Sequence, residues 1–394
     1  MRRLVCLLLL LYLLLPQAAL TPLPEVVSGL RAPIVPQAAG TSTFTPEQFG
    51  AVGDGSTDDC DAVQRALDKA SSRRGRVVLA PRTTYLCNHA LHLSSRTHLS
   101  GAGKDSVLKF TWTENTPTTD GYLLGNADQM TGNVDLVLDN FAILGAGSGR
   151  PSGPKVIRDY PRVPGIRLRL VRRFRITRLD IGRVAGISLL YQGSSEGVIA
   201  RNHVHDSGRD GITGNWHGRN LSHVVVRDNL IERVGDDGIA LVGSPGQRSN
   251  NSELPTDLVV RGNTILGWDG NPNGLLLGRG IVILASRRVL VQGNLVDRTH
   301  SYGILISGST RQFSRDPSTG ERWRSSDIAV VRNRVVDAAQ NLPGSLPVAI
   351  ISGGKDGIKV TSSDRVLVER NTIVSPYGER VVLDDCEECG SRDN

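Results

Sequence analysis

Aromatic side chains are scarce in this 394-residue chain, where Phe, Tyr and Trp together make up 4% of the residues. Proteins that bind single-stranded nucleic acid stack bases on aromatic rings, and rings this few and scattered provide no such platform. A phosphate-binding loop is also missing, because no Gly-Lys-Ser/Thr follows the glycine-rich segment Gly53-Asp54-Gly55. These absences disfavour nucleic acids and nucleotides as partners.

The first twenty residues have the pattern of a secretory signal peptide. Residues 4–15 are almost wholly apolar, follow Arg2-Arg3 and lead to the small residues Ala18-Ala19. The run is too short to span a membrane comfortably, although a signal anchor is the alternative. We therefore predict a secreted protein, extracellular or periplasmic, that has no membrane association after cleavage of residues 1–20. A linker rich in Pro, Ala, Ser and Thr is predicted at residues 21–43.

Cysteines are few, and four of the five lie beyond the predicted signal. An even number suits disulfides in an exported protein, and Cys60–Cys87 is one candidate pairing, between a predicted helix and a nearby strand. Cys386-Glu387-Glu388-Cys389 has the spacing of half a zinc site, but no second Cys or His pair lies near it. A disulfide in the tail is therefore the better interpretation.

The formal net charge is +7, and loss of Arg2 and Arg3 with the signal would lower it by two. Positive charge in a secreted protein suits an acidic polymer, and a uronic-acid polysaccharide is a better match than nucleic acid. Nothing in the sequence specifies the oligomeric state.

The dominant pattern is a phrase in which an apolar residue precedes a polar pair that ends in Asn, followed by a polar and an aliphatic residue. It recurs six times, at intervals of 27 to 39 residues. A second phrase, Gly-Ile, begins nine residues after the Asn at Gly211, Gly238 and Gly303, and later in its coil at Gly280. The six asparagines are Asn202, Asn229, Asn263, Asn294, Asn333 and Asn371.

A repeat of this length, with Gly and Asn at the corners of short strands, predicts a solenoid of stacked coils. One coil cannot bury its apolar side, whereas parallel strands stacked about 4.8 Å apart bury every coil and align the Asn amides in a ladder. We therefore predict an all-β solenoid, a right-handed parallel β-helix. A β-sandwich with Asn- and Gly-rich turns is the alternative, but it would not require the constant spacing from Asn to Gly-Ile.

The start of the predicted mature domain favours a short capping helix. Residues 62–70 have apolar residues at helical spacing, with Asp58 or Asp59 as a natural N-cap, and residues 76–81 read as the first strand. A helix here would cover the core and strand edges at the open end of the solenoid. We place the β-helix at residues 44–383 and a C-terminal tail at residues 384–394.

The opening motif resembles a known family. Gly50-Ala51-Val52-Gly53-Asp54-Gly55 with Thr57-Asp58-Asp59, a helix, and Gly75 to Pro81 are similar to the N-terminal cap of the pectate-lyase-like β-helix superfamily. The resemblance covers most of residues 44–383 and implies the fold. It does not imply one chemistry, because the superfamily holds hydrolases, lyases, epimerases and binding proteins.

Three carboxylates share one region of the repeat. Counted from the ladder asparagines, Asp210 and Asp237 hold the same place in successive coils and should lie about 5 Å apart. Asp236 adjoins Asp237 and stacks near Arg209. Such a cluster raises the pKa of one member, so that one carboxyl can act as an acid while another is ionised. Aspartates that cap tight turns are the alternative.

The segments Gly208–Ile212 and Gly235–Leu241 resemble the first two catalytic motifs of the polygalacturonase family. That resemblance implies inverting hydrolysis in which Asp236 is the general acid, while Asp210 and Asp237 hold the attacking water. Two departures stand out: the family's Gly-His-Gly is Gly278-Arg279-Gly280 here, and its Arg-Ile-Lys motif has no counterpart near Tyr302.

Several other side chains could serve the site. His217 or His300 could replace the missing histidine in space, and Trp216 and Trp268 could stack on sugar rings. His203 and His205 alternate along a strand and share a face, but without a third ligand of clear spacing we predict no metal there. The predicted substrate-binding residues are Arg209, Arg279, His205, His217 and Tyr302.

Three classes of function remain. We predict a carbohydrate-active enzyme that cleaves an acidic, uronic-acid-containing polysaccharide, by inverting hydrolysis with paired aspartates and no cofactor. A lyase or C5-epimerase on the same substrates needs a base, a charge-neutralising group and often Ca²⁺, and Arg209, Arg279, His205 and Tyr302 fit those roles. A glycan-binding β-helix without catalysis is the third.

Overall fold

The computed structural model describes residues 25–111, 121–147, 163–215, 222–243, 254–267, 278–308, 323–339 and 354–394. The predicted signal peptide lies outside these residues. The described chain contains one α-helix, α1 (Cys60–Ser72), two short 3₁₀ helices (Glu25–Val27 and Pro46–Phe49) and 32 strands. None of these helices is long and apolar enough to cross a membrane.

The strands are short and follow one another in a repeated order. The first sixteen are β1 (Thr43–Phe44), β2 (Asp54–Asp58), β3 (Arg76–Val78), β4 (Thr83–Cys87), β5 (Leu91–Leu93), β6 (His98–Ser100), β7 (Ser106–Phe110), β8 (Leu124–Asn126), β9 (Val134–Asp139), β10 (Ala142–Leu144), β11 (Ile166–Arg169), β12 (Arg172–Thr177), β13 (Asp180–Gly182), β14 (Leu189–Gln192), β15 (Ser195–Ala200) and β16 (His203–Ser207). The other sixteen are β17 (Ile212–Asn215), β18 (Ser222–Arg227), β19 (Leu230–Val234), β20 (Ile239–Val242), β21 (Thr256–Arg261), β22 (Thr264–Leu266), β23 (Ile281–Leu284), β24 (Arg287–Gln292), β25 (Leu295–Asp297), β26 (Ile304–Ser307), β27 (Ser325–Val331), β28 (Arg334–Val336), β29 (Ile358–Glu369), β30 (Thr372–Val374), β31 (Val381–Glu387) and β32 (Gly390–Arg392).

Each strand pairs in parallel with the strand one coil away, and the stacked coils form three faces. One face is an eleven-stranded sheet that runs from β2 to β30 and includes β13, β16 and β19. The other 21 strands form two faces that join at β29, whose residues 358–361 pair with β26 and residues 363–369 with β27. The chain is a right-handed parallel β-helix, as predicted. The parallel pairing excludes the β-sandwich alternative.

The apolar residue of the repeated phrase lies in the core. Strand pairing aligns one such residue from each coil along the inside of the helix, and every member is fully buried. β-Branched side chains pack well on a pleated surface, which accounts for their use at this position. The column is Ile199, Val226, Val260, Val291, Val330 and Val368.

The predicted asparagine ladder is confirmed and extends by one residue, Asn394, beyond the six asparagines of the repeated phrase. The Asn202 amide nitrogen donates to Asn229 Oδ1 at 2.9 Å, and the same contact repeats through Asn263 and Asn294. It continues through Asn333 and Asn371 to Asn394 at distances of 2.9 to 3.0 Å. The residue before each ladder Asn is left-handed, for example Arg201 at φ 58° and Gly262 at φ 62°, which makes the corner sharp.

Helix α1 caps the solenoid as predicted, with its apolar face of Ala62, Val63, Ala66, Leu67 and Ala70 buried. The predicted capping contact differs, however. Asp59 occupies the N-cap position, but its carboxylate accepts hydrogen bonds from the backbone of Val52 and Gly53 at 2.6 and 3.0 Å. Asp58 instead accepts from Cys60 N at 3.2 Å. The Asp59 side chain therefore fixes the glycine-rich loop against the helix.

The segment predicted as a linker packs along the outside of the solenoid. The 3₁₀ helix at Glu25–Val27 buries Val27 with Leu290 and Val331, near the C-terminal coils. The Gln37 backbone donates to Asp135 at 3.2 Å, and Gly40 donates to Arg74 O at 2.6 Å, near the N-terminal cap. Residues 25–40 thus run along one face for much of its length.

Cysteine pairing agrees with the prediction at one end of the chain only. Cys386 and Cys389 form a disulfide, within residues predicted as a tail that pair with β29 through β31 and β32. The candidate Cys60–Cys87 disulfide is wrong: both are buried free thiols, and Cys60 Sγ donates to His89 O at 3.1 Å. A hydrogen bond with Cys60 and burial raise the pKa of the Cys87 thiol. The two sulfurs are therefore close, but they interact as thiols.

A column of ten left-handed residues, with φ between 50° and 65°, follows the face that carries β12, β15 and β18. Acidic and basic side chains alternate along it, with His223 in a basic place between Glu196 (3.4 Å) and Asp257 (3.5 Å). At this strained, left-handed backbone position, side chains of opposite charge on neighbouring coils can form ion pairs with each other. The column is Arg96, Asp135, Arg173, Glu196, His223, Asp257, Arg288, Asp327, Arg365 and Glu388.

We expect Asp257→Asn to lower the free energy of unfolding by about 1–3 kcal/mol, because a buried charge-assisted pair is lost. The Asp257 side chain is 1% exposed and accepts from Arg288 Nε at 2.9 Å and Nη2 at 2.6 Å. Asp228→Asn is the matched control, since Asp228 is 46% exposed and pairs with its neighbour Arg227; its cost should stay below about 1 kcal/mol. Equal costs in urea denaturation would contradict a role for the column in stability.

Candidate active site

The site lies where the eleven-stranded sheet turns into the face that carries β17 and β20. Ile212, Ile239, Ile281 and Ile304 are directly paired on successive coils. The residues two positions earlier therefore form one column. As predicted, that column is Asp210, Asp237, Arg279 and Tyr302.

Close stacking of glycines sets this corner. A Cβ on Gly211 would lie 2.7 Å from Gly238 O, and a Cβ on Gly238 would lie 2.7 Å from Gly280 O. Only glycine lets the coils approach this closely, so the Gly-Ile phrase marks the backbone that presents Asp210 and Asp237.

The three predicted aspartates converge. One oxygen each from Asp210, Asp236 and Asp237 lies within 4.8 Å of the others. Asp210 and Asp237 are buried at 6% and 4% exposure, while Asp236 is half-buried. A Cβ on Gly278 would lie 3.0 Å from Asp236 Oδ1, so the glycine of the next coil makes room for this carboxylate.

Arginines balance part of the negative charge. Arg279 Nε and Nη2 each donate to one oxygen of Asp237 at 2.8 Å, a bidentate pair. Arg209 Nη2 lies 3.8 Å from Asp236 Oδ2, a longer ion pair. Arg279 was predicted to bind substrate. In the structure, two of its three guanidinium nitrogens instead donate to Asp237.

The environment separates the acidities of the carboxyls. Burial and the charges of Asp237 and Asp210 raise the pKa of Asp236 well above its usual range, against the opposing charges of Arg279 and Arg209. Burial also raises the pKa of Asp237, where Arg279 favours the ionised form. Asp236 therefore keeps its proton to higher pH than Asp237 does.

Asp210 is held by a residue that the sequence reasoning missed. Thr213 Oγ1 donates to Asp210 Oδ2 at 2.6 Å, and its place three residues after the aspartate was the available signal. Within the described residues, Asp210 Oδ1 and Arg209 Nε are buried and have no hydrogen-bond partner. An acceptor and a donor at the site are thus left for another molecule.

The carboxylates could also hold a cation, since oxygen ligands suit Ca²⁺ or Mg²⁺. The three oxygens are close enough to share one ion. Arg279 already supplies a positive charge to Asp237, which reduces the need for a metal there.

The remaining predicted site residues lie in different places relative to the three aspartates. Tyr302 is half-buried, with its ring against Gly354, where a Cβ would lie 2.1 Å away. His205 lies on β16, where its ring nitrogens contact Asp206 (2.7 Å) and Asp180 (3.0 Å) instead of the three aspartates. His217, Trp216 and Trp268 lie outside the described residues.

His300 is 2% exposed, and neither ring nitrogen has a hydrogen-bond partner in the described chain. Burial lowers the pKa of His300 to about 4, so the imidazole is neutral at physiological pH. A neutral buried ring of this kind does not supply a positive charge to the site.

Comparison with known proteins identifies the sequence family and the fold. Residues 47–265 match the family profile described as "Rhamnogalacturonase A/epimerase, pectate lyase-like", and residues 249–394 match "Right handed beta helix region". A surface adhesin of Streptococcus pneumoniae has a similar structure, with a TM-score of 0.58 at 13% identity, covering 89% of this chain and 98% of the adhesin. At that identity the likeness concerns the fold alone.

Two relatives by sequence act on polysaccharides according to their names. A capsule-specific depolymerase of Klebsiella phage KN3-1 is 38% identical over 110 residues, 22% of this chain and 14% of its own length. A mannuronan C5-epimerase of Azotobacter vinelandii is 27% identical over 279 residues, 67% of this chain and 13% of its own length. The chain thus spans about a seventh of the length of these relatives.

Proposed function

Because the chain belongs to the rhamnogalacturonase A/epimerase, pectate-lyase-like family, we propose that it cleaves an acidic polysaccharide by hydrolysis at Asp210, Asp236 and Asp237. The convergence of these carboxylates with a raised pKa at Asp236 carries the proposal. The relatives named as a depolymerase and an epimerase of polysaccharides support the substrate class, as does the net charge of +7.

In the proposed reaction, Asp236 enters protonated and gives its proton to the glycosidic oxygen as the bond from that oxygen to the anomeric carbon breaks. Asp237 and Asp210 together hold a water molecule, and Asp237, in its ionised form, accepts the proton of that water as the water oxygen bonds to the anomeric carbon. The unpaired Asp210 Oδ1 suits this water. Arg279 favours the ionised form of Asp237, and Arg209 suits a substrate carboxylate.

Carboxyl spacing bears on the stereochemistry. The nearest oxygens lie within 4.8 Å, closer than the roughly 6.5–9.5 Å between the two carboxyls of most inverting glycosidases. This spacing is nearer to the roughly 5–5.5 Å of retaining enzymes, so inversion at this site requires Asp210 and Asp237 to hold the water jointly. The anomer released first, followed by proton NMR, distinguishes inversion from retention.

Product analysis tests the proposal. The purified chain is incubated with polygalacturonate, rhamnogalacturonan and alginate, and new reducing ends and ultraviolet absorbance are recorded in parallel. Hydrolysis produces reducing ends without absorbance, whereas elimination by a lyase creates an absorbing double bond. Epimerisation changes the uronate composition seen by NMR without cleavage. Binding without any product would favour a glycan-binding protein.

The pH profile of kcat/KM should be bell-shaped, because Asp236 must be protonated while Asp237 is ionised. Replacing Arg279 with Gln removes the charge that lowers the pKa of both carboxyls, so both limbs should move to higher pH. Arg288→Gln, an equal loss of charge in the ion-pair column, is the control and should leave the profile in place. An unshifted acidic limb in Arg279→Gln would exclude Asp237 as the base.

A further inference from the structure

A second cluster of titratable groups lies on the outside of the eleven-stranded sheet, across β13, β16 and β19. Asp180 pairs with His203 on the next coil, and Gly182 pairs with His205. His203 and His205 flank the fully buried Val204, so both rings project from the outer side of the strand. The cluster is separate from the three aspartates of the proposed active site.

Three possible ligand residues face one another in this cluster. His203 Nδ1 lies 3.1 Å from Asp180 Oδ2, and His205 Nε2 lies 3.0 Å from Asp180 Oδ1. The two rings are stacked, with centroids 4.4 Å apart. Gly182 permits this arrangement, because a Cβ there would lie 2.5 Å from the His205 ring.

The opposite nitrogen of each ring contacts a second carboxylate. His203 Nε2 lies 3.1 Å from Glu232 Oε1, and His205 Nδ1 lies 2.7 Å from Asp206 Oδ2. Arg233 donates to Glu232 at 2.6 Å and to Asp206 at 2.7 Å, which fixes both carboxylates. Histidines that bind metals are usually oriented in this way, by a carboxylate on the nitrogen that faces away from the metal.

We propose that Asp180, His203 and His205 bind a divalent first-row transition metal, zinc in the first instance. Zinc takes imidazole nitrogens at about 2.0–2.1 Å and carboxylate oxygens at about 2.0–2.2 Å in a tetrahedron, so its ligand atoms lie roughly 3.3 Å apart. The imidazole-to-carboxylate distances of 3.0 and 3.1 Å are close to that spacing. Three protein ligands leave the fourth position for water or a substrate group.

The charges of the cluster are compatible with a bound divalent ion. With neutral imidazoles, Asp180, Asp206 and Glu232 carry three negative charges against the one positive charge of Arg233, and a divalent ion balances the excess. Two protons on the histidines would balance it equally, and in the metal-free cluster the carboxylates raise the pKa of His203 to about 9. The ligand side chains are 17 to 34% exposed, so an ion can enter from solvent.

Zinc binding to the purified full-length chain at pH 8 tests the proposal, by calorimetric titration and by metal analysis after dialysis. We expect one zinc per chain, and a melting temperature that rises with zinc concentration because only the folded state holds the three ligands together. Co²⁺ added instead should give the visible absorption of a low-coordinate site with nitrogen ligands.

Variants separate ligands from outer partners. His205→Gln and Asp180→Asn should each weaken zinc binding by more than the roughly 10–100-fold expected for Glu232→Gln, which alters only an outer partner. His89→Gln is the matched control, because His89 forms an isolated pair with Asp61 at 3.2 Å on the cap; it should bind zinc like the wild type.

Circular dichroism of each variant shows whether it folds. Glu232→Gln keeps all three ligands, so its intermediate affinity remains informative if a ligand variant fails to fold. Substoichiometric zinc in the wild type, or equal affinity in wild type and His205→Gln, would overturn the proposal and identify the cluster as an ionic network of protonated histidines.

Discussion

Asp236→Asn is expected to reduce turnover by at least about 10²–10⁴-fold, because the amide keeps the shape of the acid but cannot protonate a leaving oxygen. The same change should leave stability unchanged at pH 3 and raise it at pH 7 to 8. The raised pKa of Asp236 means that the folded state loses stability as pH rises through that pKa, since the carboxyl must ionise beside Asp237 and Asp210. Asn avoids that cost. Reducing-end assays and thermal melts at both pH values measure the two effects.

Asp236→Asn should lower activity and raise stability at pH 7 to 8, and these opposite effects distinguish a catalytic acid from a structural aspartate. If Asp236 only capped a turn, its replacement would lower the stability of the protein and would leave activity nearly intact. Asp61→Asn, on the exposed side of α1 and 80% exposed, is the control and should change neither quantity. An active Asp236→Asn enzyme with a lowered melting temperature would exclude Asp236 as the acid.

Asn229→Leu is expected to lower the free energy of unfolding by about 3–5 kcal/mol, because several buried groups lose partners together. Asn229 Oδ1 accepts from the Asn202 backbone at 3.0 Å and from its amide at 2.9 Å. Asn229 Nδ2 donates to Asn263 Oδ1 at 2.9 Å and to Ile199 O at 3.1 Å. Leucine supplies none of these groups, and water does not reach a residue that is 1% exposed.

Asn394→Leu is the matched control for the ladder. Asn394 accepts from the Asn371 amide at 2.9 Å, the same contact, but it is half-exposed at the last described coil. Water can replace its hydrogen bonds, so its cost should be at most about 1 kcal/mol. Urea denaturation of both variants would contradict a stabilising ladder if the two costs were equal.

The fold could be predicted because each coil repeats the same local requirements. Asn at a sharp corner, an apolar residue before it and Gly-Ile nine residues later are visible in one sequence, and stacking is the arrangement that satisfies them all. The β-helix and the ladder follow from this pattern, and the α1 cap follows from the helical spacing of apolar residues at 62–70. Contacts between residues outside the repeated phrase could not be predicted in this way. The state of Cys60 and Cys87, which are free thiols and not a disulfide, is an example.

Part of the site could be predicted for the same reason. Register alone placed Asp210, Asp237, Arg279 and Tyr302 in one column, because residues at equal positions in stacked coils become neighbours. Register could not show that Arg279 turns back onto Asp237, since the direction of a long side chain depends on the surrounding charges. Register also gave no reason to connect Asp180 with His203. The coil that contains Asp180 lacks the Asn of the repeated phrase and has Leu179 in its place.

The sequence by itself determined the coil, its corners and the order of residues along each face, since these depend on backbone geometry and the burial of apolar side chains. Only the tertiary structure decided which charges meet. The ten-residue ion-pair column and the cluster around His203 and His205 join residues from different coils, and the contact between Thr213 and Asp210 forms within one coil. Ion pairs and hydrogen bonds form only where two groups lie within a few ångströms of each other. Because the coils differ in length, the sequence does not reveal which side chains on different coils come that close.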